Sequence, residues 1–399
     1  QMIYRADHIF PIEGVPIING YVEVDEEGII LSYGSSDSLD AQRKASAEYL
    51  EGILIPGFTN AHCHVELSHM KGLFRQCTGM DGFIQQINAL RLTVNREERI
   101  AALTEQMEQM YEAGVSVMGD ISNCDESFEC KASSPIYTRT YLEVFGTEPE
   151  DAPQILAGAL QLQEKATRMG LDAAPTPHSP YTMSPLLNRL SAVEGLKSGY
   201  LSYHNQESEQ EEDMIRYGTG ELAEDYKARG SSMPPVTGGS ALKYFLDNLQ
   251  KEIKAPIEGR VLLVHNTVTD QESIDEALKV LKRPYWAICP LSNIFIHRML
   301  PPLDLLRESN LTICVGTDSL SSNLQLSMVE EIRCIQGHYP HIPLGEILRW
   351  CCLNGACAVG AEERFGSFRP GKKPGIVLID NVDYKRMMLT KESKSRRIM

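Results

Sequence analysis

Along most of the chain, short apolar runs alternate with longer amphipathic stretches. The short runs Ile53 to Phe58, Ser116 to Ile121, Tyr137 to Phe145, Ala173 to Pro177, Tyr200 to His204, Val261 to His265, Trp286 to Cys289 and Leu311 to Gly316 read as strands. Between them, Arg96 to Ala113, Ile155 to Arg168, Ser240 to Lys251, Gln271 to Leu281 and Leu344 to Val359 read as helices. Strands that alternate with helices imply a parallel sheet. Eight such units across residues 54–365 fit an α/β fold closed into a TIM-type (β/α)8 barrel.

The two chain ends differ. Ile17 to Val24 and Gly28 to Tyr33 are β-rich and separated by the acidic turn Asp25-Glu26-Glu27, and Gly375 to Asp380 is β-rich again. Residues 1–53 and 366–399 are therefore expected to pair into one small, β-sandwich-like domain. The segment from Gly230 to Gly239 is expected to be a long loop over the barrel mouth.

Composition narrows the function classes. With 42% hydrophobic and 23% charged residues, the chain has material for a large core. Its 54 acidic against 38 basic residues give a net charge of −16, which disfavours nucleic acid and anionic membranes as partners and leaves a small-molecule substrate. Self-association into a homo-oligomer is left open. Ten cysteines without a CxxC pair fit reduced thiols, and Gln1 to Pro16 carries Asp7, His8 and Glu13 where a signal peptide would be uninterrupted. No apolar run approaches the roughly 18 residues needed to span a bilayer. A cytoplasmic location is expected.

The candidate chemistry gathers at strand ends. His62 and His64 are two residues apart, which on extended chain points both imidazoles to one face, while Cys63 faces away. An isolated HxH is more often structural than metal-binding. His204 ends another strand, and Glu207 follows in a polar loop that could curl back over it, either as an acid/base or as one charge in a solvated turn. Asp318 follows the apolar stretch Leu311 to Gly316 and could cap a helix or ligate a metal. His265 and His178 follow two more strands. Five of the ten histidines, with Glu207 and Asp318, thus stand where barrel active sites are built. His8, His297, His338 and His341 are scattered as chance would place them, and His69 has no assigned role.

Competing motifs fall away. Gly218 to Ala223 matches G-x-G-x-x-A but follows an acidic run and no buried strand, so a dinucleotide site is not expected. Neither the combined H-x-E and P-C-x-x-C signature of one zinc hydrolase class nor a G-x-S-x-G elbow is present.

The stretches Pro56 to His64, His178 to Thr182, His204 to Glu207, Val264-His265, Cys289 to Asn293, Gly316 to Ser319 and Gly366 to Lys373 closely resemble the amidohydrolase superfamily. Within it, the chain is most similar to the cytosine, guanine and S-adenosylhomocysteine deaminase and chlorohydrolase branch. Pro374-Gly375 stands where the family has Ala-Asp, far from the chemistry. The resemblance implies one divalent metal, Zn2+ with Fe2+ or Mn2+ as alternatives, held by His62, His64, His204 and Asp318. The predicted fourth strand lacks the lysine that bridges two metals in binuclear members.

A bound cation lowers the pKa of its water from 15.7 to about 7, which supplies hydroxide for attack on an amino-bearing carbon. Asp318 and His265 would orient it and take its proton, and Glu207 would protonate the substrate ring. His178, Tyr181, Glu66 and Ser68 would touch substrate, with Glu66 equally suited to orienting a neighbour. Asn60 to Ser68 is similar to the corresponding stretch of aminofutalosine deaminases, which points to a purine or nucleoside-like amine. A chlorohydrolase or an amide C–N hydrolase on the same site is the nearest alternative, and a non-catalytic scaffold barrel is the alternative from another class.

Overall fold

The computed structural model describes residues 1–399. Its fourteen strands are β1 (Met2–Ile9), β2 (Ile17–Val24), β3 (Ile30–Ser35), β4 (Glu48–Pro56), β5 (Phe58–Cys63), β6 (Val115–Ser122) and β7 (Tyr137–Val144), then β8 (Asp172–Pro177), β9 (Tyr200–Asn205), β10 (Ile257–His265), β11 (Leu281–Ile288), β12 (Ile313–Val315), β13 (Ile376–Ile379) and β14 (Ser395–Arg397). Strands β5 to β12 form two four-stranded sheets, ordered β5-β6-β7-β8 and β12-β11-β10-β9, with every pairing parallel. This is an α/β arrangement of the TIM-barrel type.

Bonds outside the ladders stitch the two sheets together. Between β8 and β9, Ser202 N donates to Thr176 Oγ1 at 3.0 Å, and His204 N donates to the His178 carbonyl at 2.9 Å. Between β5 and β12, Asp318 N donates to the His62 carbonyl at 2.9 Å, and Thr317 N donates to Asn60 Oδ1 at 3.0 Å. A Cβ at Gly316 would lie 2.6 Å from the His62 carbonyl oxygen, so only glycine allows this approach.

The run Ile53 to Phe58 is not the first strand of this array. It divides at Pro56-Gly57: the residues before the break pair with β1 and β13, and Phe58 opens β5. A Cβ at Gly57 would lie 2.5 Å from the Pro374 carbonyl oxygen, which makes the crossing from one sheet to the other a glycine position.

The terminal strands form one six-stranded sheet, ordered β14-β13-β4-β1-β2-β3, in place of the two facing sheets of a sandwich. Its apolar face, including Tyr4, Val22, Leu54 and Leu378, gathers around Phe368. Strand β1 is absent from the sequence reading for a physical reason. A register shift between Ala6 and His8 against β4 breaks the in-out alternation that would reveal it. Strand β14, only three residues long, carries no apolar signal at all.

Helices alternate with these parallel strands along the chain. Asn95, Ser240 and Asp270 cap the helices Arg96–Glu112, Ala241–Gln250 and Gln271–Val280 by accepting from backbone N–H groups three residues on. The expected helix Leu344 to Val359 contains a π turn at Trp350–Asn354. There Thr59 Oγ1 donates to the Cys352 carbonyl, and Asn354 Nδ2 donates to the Ile313 carbonyl, so the helix widens where β5 and β12 compete for its polar groups. Nine residues between Gly230 and Ser240 form the expected loop, and no helix is long and apolar enough to cross a membrane.

The core lies between strands and helices. Phe245 stacks on Tyr203 with ring centroids 3.7 Å apart, both rings fully buried. Phe245→Ala is expected to lower unfolding free energy by about 3–5 kcal/mol in a denaturant titration. A loss under about 1 kcal/mol would show that this interface is not close-packed.

Candidate active site

The strand ends converge on one buried floor. His62 lies in β5 and His64 just beyond it, and their Nε2 atoms are 3.2 Å apart. Both nitrogens also approach Asp318 Oδ1, at 3.5 and 3.4 Å. From the opposite sheet, the His204 ring stands edge-on to His62 with centroids 5.0 Å apart. The ligand atoms of His62, His64 and His204 lie within 4.8 Å of one another, as do those of His62, His265 and Asp318.

The backbone accommodates this by leaving strand geometry. Gln206, His265, Asn266 and Asp318 all have positive φ, between 45° and 84°, which turns their neighbours inward at the strand ends. Asp318 caps no helix, since the next one begins at Met328.

The floor suits a cation. Two imidazole nitrogens and a carboxylate oxygen lie within 3.5 Å of one another and face a single point, a donor set that one cation satisfies together, and His62 Nδ1 is buried without a partner. His204 Nδ1 is 2.9 Å from the His178 carbonyl, so it carries the proton and leaves Nε2 as a free lone pair. Burial, reinforced by neighbouring imidazoles, pushes the pKa of His204 down to about 3 and holds His64 well below the usual histidine range. Neutral imidazoles are what a metal requires. Three nitrogens and one carboxylate match zinc, iron or manganese.

Glu207 does curl back over this floor. Its Oε1 is 3.4 Å from His265 Nε2, and its Oε2 is 3.2 Å from His297 Nε2. Burial raises this carboxyl, but His265 and His297 outweigh burial and hold it below the usual carboxylate range. His297, read from sequence as background, is thus part of the site. It ends the helix Pro290–His297, which no strand-end rule would select. The same helix supplies Ser292, whose Oγ donates to Asp318 Oδ2 at 2.8 Å, and Asn293, whose Oδ1 is 3.4 Å from His265 Nδ1.

Above the floor opens a cavity of about 350 Å3. One wall is apolar, built by Leu67 and by Met80, Phe83, Ile84 and Ile87 of the helix Gly79–Leu90. The other is polar and includes Arg91, Asn123, Glu143, Thr147 and His178. Tyr181 also lines it, packed against Met80 and Tyr226. His178 stacks on His204 at 4.4 Å and turns Nδ1 toward Thr182 Oγ1, 2.8 Å away.

Ser68 does not line the cavity, contrary to expectation, and neither does Glu66, which takes the second of its two expected roles. The 3-10 turn Val65–Met70 turns Glu66 backwards, where it accepts from Asn123 N at 2.7 Å and Ser122 Oγ at 3.1 Å and pairs with Arg91 at 3.5 Å. It orients the wall instead of forming it. Ser68 Oγ donates to the Val65 carbonyl at 2.6 Å.

Glu143 escaped the sequence reading. It stands near the end of β7, with Oε1 3.8 Å from His178 Nε2 and Oε2 3.5 Å from His204 Nδ1. Burial, assisted by Glu66 and Asp318, pushes its pKa up to about 8. The strand-end rule applied to acidic residues would have found it. Gly218, from the discarded glycine motif, simply ends a helix in the left-handed conformation.

The model of the amidohydrolase family matches residues 53–398. This chain belongs to the amidohydrolase family. Among its relatives, the aminodeoxyfutalosine deaminase of Nitratiruptor sp. is 27% identical over 84% of this chain and 81% of its own. A 5-methylthioadenosine/S-adenosylhomocysteine deaminase of Moorella thermoacetica is 24% identical over 95% of this chain and 86% of its own. The crystal structure of Helicobacter pylori aminofutalosine deaminase in complex with methylthio-coformycin superimposes with a TM-score of 0.80 at 22% identity, covering 100% of both chains. Likeness at that identity concerns the fold. The membership accounts for the α/β array and for the polar floor at its strand ends.

Proposed function

We propose that this amidohydrolase is a hydrolytic deaminase of an adenosine-like nucleoside or related N-heterocyclic amine. One observation carries the reading: Glu207 stands between His265 and His297 beside the floor made by His62, His64, His204 and Asp318. An acid/base role for Glu207 beside a candidate metal centre, under a cavity of nucleoside size, is supported by that position. The relatives named above are deaminases of such compounds. In this reading residues 54–365 form a closed (β/α)8 barrel, residues 1–53 and 366–399 form the small β domain, and the protein works in the cytoplasm.

His62, His64, His204 and Asp318 would hold one divalent cation, zinc in this reading. Such a cation supplies Lewis acidity and brings the pKa of water to about 7. Asp318, with Oδ2 fixed by Ser292, takes a proton from the attacking water. His265, braced by Asn293 and facing both carboxylates, orients that water. Glu207, ionised at rest, takes the water's other proton and passes it to the ring nitrogen beside the attacked carbon, and the proton held by Asp318 goes to the departing amino group. Collapse of the tetrahedral carbon then expels ammonia, so one water is consumed for each amine released. His178 and Tyr181 contact the substrate, with Glu143 beside them.

Ammonia release should be measured across a panel of 6-aminopurine nucleosides, free amino-purines and amino-pyrimidines. Turnover of at least one is expected, lost on prolonged chelation and restored by zinc. Silence across the panel with chloride released from a chlorotriazine would replace deamination by dechlorination. A chain that binds no transition metal and turns over nothing would be a scaffold.

A further inference from the structure

Behind the candidate metal floor lies a buried ion pair that the mechanism does not use. Asp120 of β6 and Lys131 of the helix Phe128–Ser133 meet at 2.6 Å, both side chains at 0% exposure. Lys131 Nζ also donates to Thr140 Oγ1 of β7 at 3.1 Å. Neither residue lines the catalytic cavity.

A buried ion pair is poor value as a stabiliser. Desolvating both charges costs about what their attraction returns, and apolar residues of similar volume often do as well. What this pair does provide is direction. Asp120 is aligned with Cys63 in the β5–β6 ladder. Its Oδ1 accepts from Val65 N at 2.9 Å and faces Cys63 Sγ at 3.4 Å. A single carboxylate oxygen therefore holds the residue before His64 and the residue after it. His64 itself is neither strand nor helix, with φ −131° and ψ 80°, at the point where β5 gives way to the turn Val65–Met70. Lys131 anchors that oxygen's partner atom to a third element, so the carboxylate cannot rotate away.

We propose that Asp120 and Lys131 are a positioning pair that fixes the backbone around His64 and thereby sets the metal affinity of the centre. The proposal rests on His64 being a metal ligand, as argued above. Partners that orient a ligand in this way are worth about 10–100-fold in metal affinity.

The test is zinc affinity of the full chain, measured by competition with a chromophoric chelator, together with the visible spectrum of the cobalt-substituted protein. Asp120→Leu with Lys131→Met removes both charges and the acceptor. It should keep cooperative thermal unfolding, bind zinc about 10–100-fold more weakly and shift the cobalt bands. Asp120→Asn with Lys131→Met keeps an acceptor for Val65 N, and should recover affinity to within about threefold of wild type. Val65→Pro offers a route that leaves the ion pair intact. Val65 opens its turn, where proline is tolerated, and the change deletes the N–H that Asp120 accepts while a pyrrolidine ring replaces the buried isopropyl group. It should weaken zinc by about tenfold.

Zinc affinity within twofold of wild type in the Leu/Met variant, or in Val65→Pro, with an unchanged cobalt spectrum, overturns the proposal. A wild-type chain that binds no zinc overturns the reading of the centre, and the positioning role with it. The two failures are therefore distinct.

Discussion

Asp318→Asn is expected to lower kcat by roughly 10⁴-fold while the protein folds as before. The backbone at Asp318 has φ 58°, a conformation that asparagine tolerates as well as aspartate. The amide also fits the space beside Ser292, whose hydroxyl can reverse its role as donor. What the amide cannot do is hold negative charge 3.4 and 3.5 Å from two imidazole nitrogens, or take a proton from water. Steady-state ammonia release, with zinc content and a melting curve on the same sample, measures all three. A kcat within tenfold of wild type would remove Asp318 from the chemistry.

Glu207→Gln separates proton transfer from metal binding. Glu207 is outside the proposed donor set, and its contacts are His265 on one oxygen and His297 on the other. Glutamine preserves the shape and can still hydrogen-bond to both rings. The variant is expected to retain its metal and a near-normal KM, while kcat falls about 10²–10⁴-fold. Metal lost along with activity would make Glu207 a ligand, and activity retained would hand proton transfer to His265 or His297.

The strand-end rule read much of this site directly, because a barrel exposes one set of positions and the chain marks them with polar residues after apolar runs. His62, His64, His204, His265 and Asp318 meet in space for that reason. The same rule fails where a side chain arrives from elsewhere. His297, Ser292 and Asn293 come from a helix, and only the folded arrangement brings them against Glu207, Asp318 and His265. Ser68 lies off the cavity, and Glu66 takes the orienting one of its two expected roles. The 3-10 turn after His64 sends both side chains away from the cavity, which the linear spacing does not show.

At the level of the fold, the eight-unit rhythm was legible because each barrel strand is a short buried run. The split at Pro56-Gly57 was not, since the apolar character continues across it while the partner strands change. Strand β1 was hidden by its register shift, and the helix at 344–358 concealed a π turn whose cause lies in β5 and β12.

The join between β5 and β12 bears on how the protein is made. Asn60 and Thr317, which bond across that join, are 257 positions apart in the chain. His62 and Asp318 sit at the same place, so a ribosome must deliver nearly the whole eight-strand array before the two can meet. In the proposed centre, His62, His64 and His204 would until then lack the Asp318 carboxylate. If that centre binds its metal as proposed, tight capture is a late event in synthesis, and chains cut short of β12 are expected to emerge without it.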